Sequence, residues 1–163
     1  MMAYLPLFMV AIIATALDGL LAGASLDQSI KQLPARRRIG AVAYSVYARA
    51  ADLGTGIIWY AALGIGSALL TIVSAIVALA QSSLGSVALP LYLAAAVSVA
   101  HSFTTLRAAP TMLAQRHIPA MAENEPELRA LFDRFERWQM ARVILQVVTF
   151  MLMLWTLAAF PLR

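Results

Sequence analysis

The chain has 163 residues, 62% hydrophobic and 12% charged, with a formal charge of +4. Soluble domains run at roughly 45–50% apolar and 25% charged, so the composition excludes an ordinary soluble enzyme. Cysteine is absent, which removes disulfides, thiolate metal sites and thiol nucleophiles. His101 and His117 are too few for a multi-histidine centre, so neither a metal nor a cofactor is expected. The positive charge reads as membrane topology, not as nucleic-acid binding.

A bilayer core is crossed by about 20 apolar residues in a helix. Four such runs occur in chain order, at about 3–24, 57–80, 87–105 and 140–160. The first lacks a basic leader and exceeds the roughly 7–15 residues of a signal-peptide core, so it reads as a retained membrane helix. No segment alternates as a strand does, and no repeat or linker divides the chain. The expected fold is all-α: a polytopic membrane four-helix bundle in one domain.

Helices 2 and 4 are expected to extend beyond the membrane on the cytoplasmic side. Ile39, Val42, Ala43, Val46 and Ala50 recur at helical spacing before the second span. Leu128, Leu131, Phe132, Phe135 and Trp138 do so before the fourth. Each stripe needs a partner, and the simplest arrangement packs one on the other. Arg129, Asp133 and Arg137 form a solvated ladder on the far side of helix 4. Pro34 suits the first turn of helix 2, and Asn124 with Glu127 suits a capping box for helix 4. Residues 81–86 read as a tight turn and 116–124 as the longest loop. Pro110 is expected to end or kink helix 3.

Basic residues fix the expected orientation. Lys31, Arg36, Arg37, Arg38 and Arg49 flank the first connection. Arg107, Arg116, Arg129, Arg134, Arg137 and Arg142 flank the third, and only Arg163 marks the other end. The positive-inside rule then makes both connections cytoplasmic and both termini non-cytoplasmic, in a plasma or inner membrane. Arg36–Arg38 reads as a topology signal, with anionic headgroup binding as the sharper alternative. Arg49 and Asp52, one turn apart, read with Asp27 as an interfacial network.

A helix rises about 1.5 Å per residue, so depth can be counted from the outer ends. Counted from Tyr4, Val87 and Phe160 respectively, Asp18, His101 and Gln146 each lie about 21 Å in, and Arg142 about 27 Å. Thr104, Thr105 and Tyr60 fall nearby. One face per helix carries these groups: Ala11, Thr15, Asp18, Ala22 and Ser25 on helix 1; Gly56, Tyr60, Gly64, Ser67 and Thr71 on helix 2. On helix 3 it is Ala94, Val97, Ser98, His101, Thr104 and Thr105; on helix 4, Gln139, Arg142, Gln146 and Thr149. Small residues at such spacing let helices approach closely.

An unpaired guanidinium in hydrocarbon costs about 2.5–3.5 kcal/mol even on the lenient insertion scale. The expected partner of Arg142 is Asp18, with His101 beside the pair. Such a pair either fixes helix register alone or belongs to a site. In the second case His101 is a general acid/base, Arg142 stabilises an anion, and Asp18 completes the candidate catalytic set. Tyr60, Thr104, Thr105, Gln139 and Gln146 are the candidate pocket residues. Trp59, Trp138, Trp155, Tyr4 and Tyr92 fit an aromatic belt.

Several short motifs resemble the anthrone-oxygenase-like family of small four-helix membrane proteins. They are Ala22-Gly23, Leu33-Pro34-Ala35, Thr104-Thr105, Pro110-Thr111-Met112-Leu113 and Trp138-Gln139-Met140-Ala141-Arg142. The resemblance implies cofactor-independent oxygenation of a polycyclic phenolic substrate, with His101 and Arg142 at the site. Without it, three readings stand: a membrane enzyme or binding protein for a small hydrophobic molecule, a structural or accessory subunit of a larger membrane complex, and a proton or ion pathway. Membrane lipids are expected partners in each.

Overall fold

The computed structural model describes residues 5–80 and 85–161. Tyr4, Arg163 and most of the expected 81–86 turn lie outside the described residues. Four helical rods are long and apolar enough to cross a membrane: Leu5–Ile39, Ala41–Ala80, Gly85–His117 and Ala122–Ala158. Among the described residues there is no strand. The protein is an all-α four-helix bundle.

The first rod contains α1 (Leu5–Asp27), one wide π turn (Gln28–Gln32) and α2 (Leu33–Ile39). Pro34 therefore sits in the first turn of α2, at the end of the first rod, and not at the start of the second as expected. Leu33 and Arg36 on α2 are buried, so tertiary contacts hold the continuation. The chain reverses at Gly40, whose φ of 87° suits a residue without a Cβ. The second rod holds α3 (Ala41–Ala50), a second wide turn (Ala51–Thr55) and α4 (Gly56–Ala80). Gly54 leaves helical geometry there, at φ −82° and ψ −121°. A Cβ on Gly56 would stand 2.6 Å from the Ala51 carbonyl oxygen, so only glycine fits this close turn.

α5 (Gly85–Ala114) runs through both Pro90 and Pro110. Of the two outcomes expected at Pro110, an end to the helix does not occur; buried Met112 and Gln115 beyond it anchor the last turn. α6 runs from Glu125 to Ala158. Asn124 makes no cap with its side chain. Its amide instead donates to the Pro119 carbonyl at 3.0 Å, so the capping box does not form.

α5 and α6 share the broadest interface, α1 packs on both α4 and α6, and α4 closes the ring against α5. Two apolar clusters result. One, at the end carrying the chain termini, includes Leu7, Ala14, Ala78, Leu91, Met153 and Phe160. The other joins the extensions through Leu33, Tyr44, Ala108, Met112, Leu128 and Phe132. Tyr44 meets Phe132 edge to face with ring centres 4.9 Å apart, a favourable aromatic geometry.

The extensions of helices 2 and 4 do pack together, but through a different face of the first. Ile39 and Val46 are 53% and 57% exposed, whereas Ala41, Tyr44, Ser45 and Ala48 are buried. Val42, Ala43, Val46 and Ala50 follow Gly40 on the unbroken α3, where the face carrying Tyr44, chosen by its contact with Phe132, turns Ala43, Val46 and Ala50 outward. Outside the clusters, large apolar side chains face outward: Leu20, Ile58, Trp59, Leu79 and Leu106 are each more than 60% exposed. Such a surface suits lipid and exceeds what a soluble monomer exposes.

Candidate functional site

Between the two apolar clusters lies a polar stratum. Thr15, Asp18, Ser67, Thr71, Ser98, His101, Thr104, Gln139, Gln146 and Thr149 are all buried. Three hydroxyls at this level and above it return to their own helices. Thr15 donates to the Ala11 carbonyl at 2.7 Å, Ser74 to Leu70 at 2.7 Å and Thr149 to Leu145 at 2.9 Å. Such back-bonding satisfies a hydroxyl where no water is present.

Asp18 does not pair with Arg142. Its Oδ2 accepts from Thr71 Oγ1 at 3.2 Å, which clasps α1 to α4. Both residues sit on the small-residue face where these helices touch, and the carboxylate takes the nearest donor. No Asp or Glu lies within ion-pair distance of Arg142 among the described residues. Arg142 Nη1 instead donates to Gln139 Oε1 at 2.9 Å, one turn away, and its Nε is buried without a partner.

His101 joins α5 to α6. Its Nε2 lies 2.8 Å from Gln146 Nε2 and 3.2 Å from Thr105 Oγ1. A ring nitrogen that accepts from the amide places the imidazole proton on Nδ1. With the amide turned over, Gln146 Oε1 accepts from a protonated Nε2 instead. Thr104 Oγ1 donates to the His101 carbonyl at 2.7 Å and is thereby committed to its own helix.

A cleft of about 570 Å³ opens between α4 and α5. This lies within the roughly 300–1,000 Å³ of small-molecule sites. α4 contributes Ile57, Tyr60, Gly64, Ile65 and Leu69; α5 contributes His101, Ser102, Thr105 and Leu106; α6 contributes Phe135 and Arg142. Its lips at Ile65, Leu69 and Leu106 are 62%, 57% and 72% exposed, so the opening faces sideways through an apolar surface. Gly64 leaves room at the wall, since a Cβ there would meet nothing within 4 Å.

Of the residues selected from sequence, Tyr60, Thr105, His101 and Arg142 line this cleft. Gln139 and Gln146 stand behind it, holding Arg142 and His101. Thr104 and Asp18 are outside it. Sequence reasoning missed Gln28 as a lining residue and placed Asp52 only at the surface. Both line the end of the cleft nearer the extensions, where Gln28 Nε2 donates to Asp52 Oδ2 at 3.0 Å. A usable signal existed, because Gln28 follows Ser25 by three on the polar face of α1.

Arg49 does not join Asp52 in a network. Its guanidinium donates to the carbonyls of Gln115 and Ile118, just past the end of α5. Among the described residues no group of His, Asp and Glu is arranged to hold a metal. No family model, curated protein or solved structure matches the chain.

Proposed function

We propose that this protein binds a small hydrophobic molecule in the cleft between α4 and α5, and that His101 exchanges a proton with it there. One observation carries the reading: an apolar cleft of ligand size, open toward the lipid face, holds an imidazole, a phenol and a guanidinium on its wall. Apolar walls with a few convergent polar groups are the usual make-up of small-molecule sites. The Gln146 amide accepts from or donates to Nε2 according to its rotation, so His101 keeps its partner through a change of tautomer.

The resemblance to anthrone-oxygenase-like proteins extends this proposal to chemistry. In that reading, His101 removes a proton from an aromatic substrate. Arg142 then holds the resulting anion while dioxygen oxidises it without a metal. The basic residues at the Gly40 end of the bundle place that end in the cytoplasm in the same proposal, with both termini on the other side.

Gly64→Leu tests the cleft. A Cβ at this lining position meets nothing within 4 Å, so a side chain can be added at the cleft wall. N-phenyl-1-naphthylamine, a neutral aromatic fluorophore, is expected to bind the purified wild type saturably. Gly64→Leu is expected to weaken it by about tenfold or more. Equal binding by the two proteins would remove the cleft as the site.

A further inference from the structure

The charges of the cleft say what kind of molecule fits it. The chain has 8 acidic residues, and none of the carboxylates faces Arg142. Asp18 is taken by Thr71, Asp27 by Lys31 and Gln32, and Asp52 by Gln28. Asp133 and Glu136 bind Arg36, with Glu136 also bonding Arg37, and Glu125 binds Arg129. Glu123 and Glu127 are exposed beside the start of α6. Arg142 therefore has a neutral amide as its hydrogen-bond partner, with a buried Nε left over, on the wall of an apolar cleft. A guanidinium in such surroundings gains most from a single anionic oxygen group, which supplies both charge and acceptors.

Resting on the cleft reading above, we propose that the occupant is an amphiphile with one acidic group. The acid sits at Arg142 beside Tyr60, and the apolar body runs along Ile65, Leu69 and Ile72. The body is placed along Ile65, Leu69 and Ile72 because no charged side chain lines that end of the cleft. The exposed apolar lips admit the molecule from the lipid phase, so its body needs no passage through water.

The test compares cis-parinaric acid with its methyl ester. Both are fluorescent and share one chain, and only the acid can carry a charge. Protein in phosphatidylcholine nanodiscs at mildly alkaline pH is expected to bind the acid at least about tenfold more tightly than the ester. Arg142→Gln is expected to erase that preference, Arg142→Lys to retain part of it, and Gly64→Leu to lose both ligands. If Arg142→Gln fails to fold, the comparison of acid with ester on the wild type and on Arg142→Lys decides. Equal binding of acid and ester, both lost in Gly64→Leu, would overturn the charge assignment and leave the cleft standing. Failure of the wild type to bind either, or binding unaffected by Gly64→Leu, would overturn both.

Discussion

Two arginines illustrate how placement decides the role of one residue type. Arg36 lies in a run that reads as a topology signal, yet its side chain is only 5% exposed. It donates to Asp133 at 2.8 Å and to Glu136 at 2.7 Å, and its guanidinium stands 5.8 Å from the centre of the Phe132 ring. Asp133 thus leaves the ladder expected along α6 and crosses to α2. Removing one partner from a fully buried pair costs about 3–5 kcal/mol. The carboxylates here are 51% and 25% exposed, which lowers that figure. Arg36→Ala is expected to destabilise the fold by about 2–3 kcal/mol, read as a lower midpoint in detergent unfolding. Arg38→Ala, at an exposed neighbour without an ion pair among the described residues, is expected to change it little. Arg142 is the opposite case. It stands at the cleft with a glutamine as its hydrogen-bond partner, and the proposed function makes it a ligand's counter-charge.

Among the elements, the breaks matter as much as the helices. The wide turn at Gln28–Gln32 adds a residue to one turn of the first rod, and Gly54 with Gly56 does comparable work in the second. These turns bring Gln28 and Asp52 together at the cleft's inner end. The end of α5 is held by α3 in turn. Just past its terminus, Arg49 supplies two donors to the carbonyls of Gln115 and Ile118. Arg116 returns a bond to the Leu53 carbonyl at 2.8 Å, and Ser45 donates to Gln115 Oε1 at 3.2 Å. Arg49→Met keeps most of the stem and removes the donors. Losing about 1.5 kcal/mol of charged hydrogen bonding is expected to raise trypsin cleavage after Arg116 by about tenfold. An unchanged cleavage rate would show that Arg49 does not hold this corner.

For the molecule as a whole, the polar stratum separates an apolar core at the end carrying the termini from another in the extensions. The cleft opens at that boundary because α4 and α5 bear small residues there, with Ala61, Gly64 and Ala68 facing Ala109 and Ser102 across it. Which end faces the cytoplasm is testable without background, since the chain has no cysteine. A single cysteine at exposed position 121 is expected to react with a membrane-impermeant maleimide only from the cytoplasmic side. One at exposed position 86 is expected to react only from the other side. The reverse pattern would invert the proposed topology and move Asp52 to the non-cytoplasmic end of the cleft.

Composition and periodicity alone determined the class of fold, the number of long apolar helices and the inward polar face of α1, α5 and α6, though not the inward face of α3. Thr15, Asp18 and Ser25 are buried on α1 as their spacing requires, and so are Ser98 and His101 on α5 and Gln139, Gln146 and Thr149 on α6. This was legible because desolvating a polar group in hydrocarbon is costly enough to set helix rotation by itself. Partner choice was not legible. Asp18 and Arg142 have matching depth and opposite charge, yet Thr71 and Gln139 are nearer once the ring of helices closes. Depth is a one-dimensional coordinate, while a hydrogen bond needs two groups within about 3 Å in three. The inward face of α3, the two wide turns, the continuation of α5 past Pro110, and the cleft itself were settled only by packing between segments far apart in the chain.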